Sequence, residues 1–123
     1  MEQYVPDVSP HDVERVVARD YPPEHHEAIH EKIRGIDVRE KVRVILACLK
    51  NGAGDLQKLE GELANAEGWW REIISEAEYP NYTKKMFRIA RLSKDEEARI
   101  IEKDKSQYLA WLQREDAGPV PPL

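Results

Sequence analysis

Cysteine occurs once, at Cys48, so the chain can form no internal disulfide. The longest apolar run, Val42 to Leu49, is interrupted by Arg43. It falls far short of the ~20 apolar residues that a membrane-spanning helix needs, so no membrane association is expected. The opening stretch Met-Glu-Gln-Tyr-Val-Pro-Asp has neither the basic nor the apolar segment of a signal peptide, and a cytoplasmic location is the expectation. No segment alternates apolar and polar residues with period two, and no internal repeat is present, which removes sheet folds and solenoids. Phosphate-loop chemistry lacks its parts as well: Asn51-Gly52-Ala53-Gly54-Asp55 has no preceding strand and no following Lys-Ser/Thr. Neither a Ser-centred nucleophile elbow nor a Cys-x-x-Cys occurs.

What remains is a chain of 123 residues, 41% hydrophobic, long enough to bury one core without metal or disulfide support. The reading is a single helical domain over residues 1–117 with a flexible Pro-rich tail over 118–123. Start and stop signals divide that domain. Ser9-Pro10-His11-Asp12 opens a first helix carrying Val13, Val16 and Val17, which Pro22-Pro23 must end. A second helix from Pro23 or Glu24 carries Ile29 and Ile33 and closes at Gly35. Asp37-Val38-Arg39-Glu40 has capping-box spacing and predicts a third helix that is apolar nearly all round, hence central, stopped by Asn51–Gly54. Asp55 caps a fourth helix with Leu56, Leu59, Leu63 and Ala66 on one face, and a break is expected near Asn65–Gly68. Trp69, Trp70, Ile73, Ile74 and Ala77 continue on a new helix up to Tyr79-Pro80-Asn81. A short basic helix follows with Met86, Ile89, Ala90 and Leu92. Ser93-Lys94-Asp95-Glu96 is a capping box for a long last helix through Ile100, Tyr108 and Trp111. The fold class is therefore all-α, a compact bundle of six or seven helices.

Net charge is −5, which works against generic nucleic-acid binding. The charge is segregated, however. Asp55 to Glu78 holds seven acids against two bases, whereas Lys84 to Lys94 holds five bases and no acid. One reading is neutralisation between neighbouring solvated faces; the other is a bipolar surface that docks a charged partner. Lys84, Arg88 and Arg91 form a basic ridge at helical spacing.

One segment has the spacing of a metal site. His26-Glu27-Ala28-Ile29-His30 reads His-Glu-x-x-His, which on a helix puts two imidazoles on one face to hold zinc, with Glu27 as general base. The extended form of that motif wants Gly and His where Ile33 and Ile36 stand, so a third ligand would have to come from elsewhere, Glu60 and Glu62 being candidates by spacing. The alternative is that His26 and His30 simply border the apolar stripe of Ile29 and Ile33. Cys48, on the most apolar helix, reads as a small buried hydrophobe. Adjacent residues on a helix point ~100° apart, so one of Trp69 and Trp70 is expected in the core and the other at its edge as an interface anchor. Trp111 has the same two readings.

Gly54-Asp55-Leu56, the step Trp70-Arg71-Glu72 and Ala77-Glu78-Tyr79-Pro80 together resemble a pattern of small bacterial helical proteins of uncharacterised function. The resemblance implies a bacterial helical protein and carries no activity with it. The expectation is thus a non-enzymatic protein–protein interaction module or self-associating regulator, contacting its partner or its own copy through Trp69, Trp70, Trp111, Lys84, Arg88 and Arg91, with no cofactor. The alternative is a zinc-dependent hydrolase using His26, His30 and Glu27.

Overall fold

A computed structural model describes residues 5–84 and 92–115. The described residues form seven α-helices and no strand. Helix α1 spans Pro10–Asp20, and a 3₁₀ turn at Pro23–His25 leads into α2, His26–Arg34. Helices α3, Lys41–Gly52, α4, Leu56–Ala64, and α5, Trp70–Glu78, form the middle of the chain. Helix α6, Pro80–Lys84, is short, and α7 runs from Lys94 to Gln113. Helix α3 is the central rod: α1, α4 and α5 all pack on it, and Val44 through Leu49 are buried as a continuous run. A helix buried on nearly every side needs no polar face, which is why its pattern is apolar almost all round.

The local signals act where they stand. The Ser9 backbone N–H donates to the Asp12 carboxylate at 2.9 Å, the Lys58 N–H donates to Asp55 at 3.1 Å, and the Glu96 N–H donates to the Ser93 hydroxyl at 3.1 Å. Burial raises the Asp12 carboxyl, but the bonds from Ser9 and Arg15 outweigh it and hold the group below its ordinary range. Gly52 closes α3 beneath the Tyr21 hydroxyl. A Cβ there would stand 2.5 Å from that oxygen, which donates to the Leu49 carbonyl at 2.8 Å.

The third helix starts later than its sequence suggests. Asp37 is not a cap; its backbone N–H donates instead to Glu67, at 3.0 Å and thirty residues on. Glu40 takes a left-handed conformation, φ 50°, and α3 begins at Lys41. A tertiary bond here overrides a local capping pattern.

Buried polar groups tie the last helix to the others. The Arg19 guanidinium, its side chain 3% exposed, clamps Asp20 through two 2.7 Å bonds. It also donates to the Trp111 and Arg114 carbonyls at 2.7 Å each, which satisfies carbonyls that the end of α7 leaves open. Arg15 adds a 2.6 Å bond to the Leu112 carbonyl. At the other side of α7, Asp104 is fully buried and accepts from the Asn81 and Tyr82 backbone N–H groups, at 3.0 and 2.9 Å, and from the Asn81 side-chain amide at 2.8 Å. Asp104 thus caps the start of α6 from a distant helix. Gln107 donates to the Ala77 carbonyl at 3.1 Å and so joins the end of α5 to α7. Arg43 and Glu78 connect α3 to α5 through a two-pronged pair at 2.8 and 2.7 Å.

The expected tail at 118–123 lies outside the described residues, as does most of the expected basic helix, including Met86, Arg88, Ile89, Ala90 and Arg91. Among the described residues no helix is long and apolar enough to cross a membrane.

Candidate functional site: an exposed tryptophan among acids

The two adjacent tryptophans part company at the start of α5. Trp69 precedes the helix with non-helical backbone, and its side chain is thrown outward, 59% exposed. Trp70 is half-buried against the core, and the Arg71 guanidinium lies over its ring, 5.0 Å from the centroid. Neither ring enters the core completely, so the expectation of one core and one edge residue holds only as a difference of degree.

Trp69 borders a cleft of about 220 Å³ between α4 and α5, formed with Ile73, Asn65, Glu62, Glu72 and Glu76. Trp69, Glu72 and Glu76 stand three and four residues apart, so one face of α5 presents a ring and two carboxylates together. Glu62 comes from α4. Burial raises its carboxyl, the Asn51 amide opposes the rise, and Glu76 adds to it. The acid block is legible in the sequence, and the spacing of Trp69, Glu72 and Glu76 is the signal for its placement around Trp69, which acid counts alone do not give.

On the other flank of α5, Trp70, Arg71, Ile74 and Tyr79 meet Arg43 and Glu40 in a cleft of about 400 Å³. Its central arginine is already engaged by Glu78 and by Glu40 at 3.3 Å. Burial holds the Glu78 carboxyl above its ordinary range against the opposing pull of Arg43, and the two groups are committed to each other, so this pair is structural.

The remaining sequence-predicted residues are scattered. Trp111 is 4% exposed, packed against Tyr108 with the ring centroids 5.5 Å apart and the planes tilted by 54°, and covered by Arg19, with its guanidinium 5.3 Å from the ring centroid. It belongs to the core and cannot anchor a partner on the surface, because Arg19 of α1, which bonds the carbonyls at the end of α7, also lies over its ring. Lys84 is exposed at the end of α6, remote in sequence from the Trp69 face, and Arg88 and Arg91 lie outside the described residues. Cys48 is fully buried, and burial pushes its thiol up to about 12.

The zinc pattern does fall on a helix, α2, but its parts diverge. The Tyr21 carbonyl can only accept, so Nε2 of His26, which meets it, carries the ring proton and has no lone pair for a metal. Glu27 is exposed. His30 turns into a groove between α1, α2 and α3. Glu60 pairs with Lys32 at 3.8 Å, and Glu62 sits in the Trp69 cleft. Among the described residues no three His, Cys, Asp or Glu side chains converge to hold an ion. The third ligand that the hydrolase reading requires is therefore not supplied by them.

No protein-family model, no curated protein and no solved structure matches the chain.

Proposed function

We propose that the chain is a non-enzymatic interaction module that docks a basic segment of a partner protein on the α4–α5 face around Trp69. The observation that carries this reading is the 59% exposure of a tryptophan flanked by Glu62, Glu72 and Glu76. An indole left in water forgoes the burial that large aromatics ordinarily gain, and tryptophans are enriched among the residues that carry interface energy. Its acidic surroundings select the partner's chemistry. A lysine or arginine side chain gains both the ring face and a carboxylate there, and long-range attraction speeds encounter.

A basic peptide, such as a helix-forming Lys/Arg sequence with interleaved leucines, should quench or shift Trp69 fluorescence saturably and should weaken as salt is raised. Trp69→Ala should remove the binding while leaving the unfolding midpoint nearly unchanged, because the ring buries little. Binding that survives Trp69→Ala, or that does not respond to salt, overturns the reading. The chain's own Lys84–Lys94 segment carries five bases, so self-association is the second form of the same chemistry. Light scattering across a salt series distinguishes the two: self-association appears as a mass that rises with concentration at low salt, and docking of a separate partner leaves the chain monomeric.

A further inference from the structure

The largest depression among those described lies away from Trp69, between α1, α2 and α3, and has a volume of about 610 Å³. That is within the ~300–1,000 Å³ range of small-molecule sites, which are characteristically apolar with a few converging polar groups. Its floor is Val13 of α1, Ile33 of α2 and Val42 and Ile45 of α3. Val13 and Ile45 belong to the core, while Ile33 and Val42 are only partly covered and present apolar surface to the groove.

The charged residues at this groove are positive on balance, Arg34 and Lys41 against Glu14. His30 lines it beside them. Four other basic side chains on these helices are matched: Arg15 with Asp12, Arg19 with Asp20, Lys32 with Glu60 and Arg43 with Glu78. Among the described residues Arg34 and Lys41 have no such carboxylate partner. They end α2 and begin α3, so the chain turns between them and brings two cations from consecutive helices to one apolar cleft. An apolar floor with an unmatched cationic edge is complementary to a molecule with an apolar body and one anionic head.

We propose that the α1–α2–α3 groove is a binding site for a small apolar monocarboxylate of the fatty-acid type, its chain lying on Val13, Ile33, Val42 and Ile45 and its carboxylate meeting Arg34 and Lys41. His30 stands at the same groove and adds a donor to the head group. This assigns a role to the second histidine of the His-Glu-x-x-His pattern that requires no metal. The site is independent of the Trp69 face.

The test is calorimetric titration of the full chain with decanoate below its micellar concentration, with decanol as the uncharged comparator and backbone amide shifts to place the ligand. The expected result is saturable one-to-one binding of decanoate, with shifts centred on residues 10–14, 30–34 and 41–45. Decanol should bind about tenfold or more weakly, the loss expected when a charge-assisted contact is missing. The double variant Arg34→Gln, Lys41→Gln should lose that advantage while its decanol affinity stays the same, and both substituted positions lie outside the buried core. Val42→Trp, which fills the groove from its partly covered edge, should abolish binding of both ligands. The proposal is overturned by the absence of saturable decanoate binding, by equal affinity for decanoate and decanol, or by an undiminished preference in the double variant. It is equally overturned if an acidic amphipathic peptide occupies these residues and decanoate cannot displace it.

Discussion

Replacing Arg19 by alanine should cost the fold about 3–5 kcal/mol, the penalty for breaking a buried ion pair from one side. The magnitude follows from what the guanidinium touches. It holds Asp20 by two 2.7 Å bonds, donates to the Trp111 and Arg114 carbonyls at 2.7 Å, and covers the Trp111 ring. Hydrogen bonds to charged groups are worth about 1.5–3 kcal/mol each and the ring contact up to about 2, but they share one side chain and do not add. Two effects limit the loss: Arg114 still pairs with Asp20 at 3.0 Å, and water can enter to solvate the freed carbonyls. At roughly 3–6 °C per kcal/mol for a chain of this size, the unfolding midpoint should fall by about 10–25 °C. Arg19→Lys should recover less than half of the loss, because an ammonium cannot reproduce the planar fork. Urea unfolding followed by tryptophan fluorescence gives the free energies. The informative comparison is Arg15→Ala, whose side chain is 34% exposed and whose ion pair is a surface one worth about 0–1 kcal/mol, although it too bonds an α7 carbonyl. If Arg19→Ala lies within 1 kcal/mol of the parent, or if Arg19→Ala and Asp20→Asn prove additive in a double-mutant cycle, the clamp at the end of α7 does not carry the energy assigned to it.

Asp104→Ala should destabilise by about 2–4 kcal/mol, since two α6 N–H groups and the Asn81 amide lose their acceptor together, and hydrogen exchange at Asn81 and Tyr82 should rise more than elsewhere. Ala53 ends α3 in the left-handed region at φ 51°, so Ala53→Gly should stabilise by about 0.5–1 kcal/mol in urea unfolding, relief of the Cβ clash exceeding the added chain entropy. The Cys48 thiol should resist alkylation at pH 8 in the native state. Because its folded pKa is raised above an ordinary 9.0 to about 12, unfolding releases a proton in that interval. Its stability contribution is therefore complete below pH 9 and declines as pH rises towards 12, and Cys48→Ala should flatten that alkaline decline, measured by urea midpoints from pH 7 to 11. Acid acts with the opposite sign on Asp12, whose lowered pKa means that its cap on α1 weakens as pH falls below about 3.8; helix loss near Ser9, read by amide exchange, should therefore precede global acid unfolding.

The caps at Ser9, Asp55 and Ser93 and the stop at Asn51–Gly54 were legible in the chain because each depends on atoms within about four residues. The same holds for the helical stripes and hence for the all-α class and the central position of α3. Legibility ended where a partner stood far off in sequence. Asp37-Val38-Arg39-Glu40 had the form of a cap, and a bond to Glu67 decided otherwise. Nothing near Asp104 marks it as the cap of a helix more than twenty residues earlier. Nothing near Trp111 shows that Arg19, on the first helix, covers it.

What the chain lacks is a property of its sequence alone. A single cysteine, no period-two pattern and no long apolar run settle the chemistry of the core and the helical class, because composition and spacing act locally. The two tryptophans show the other half. Their identity and adjacency are written in the sequence, but which ring faces water depended on where the turn after α4 released the backbone. The same is true of Arg34 and Lys41, which become one cationic edge only when α2 and α3 fold back against α1. Exposure and convergence are relations between distant segments, and only tertiary packing creates them.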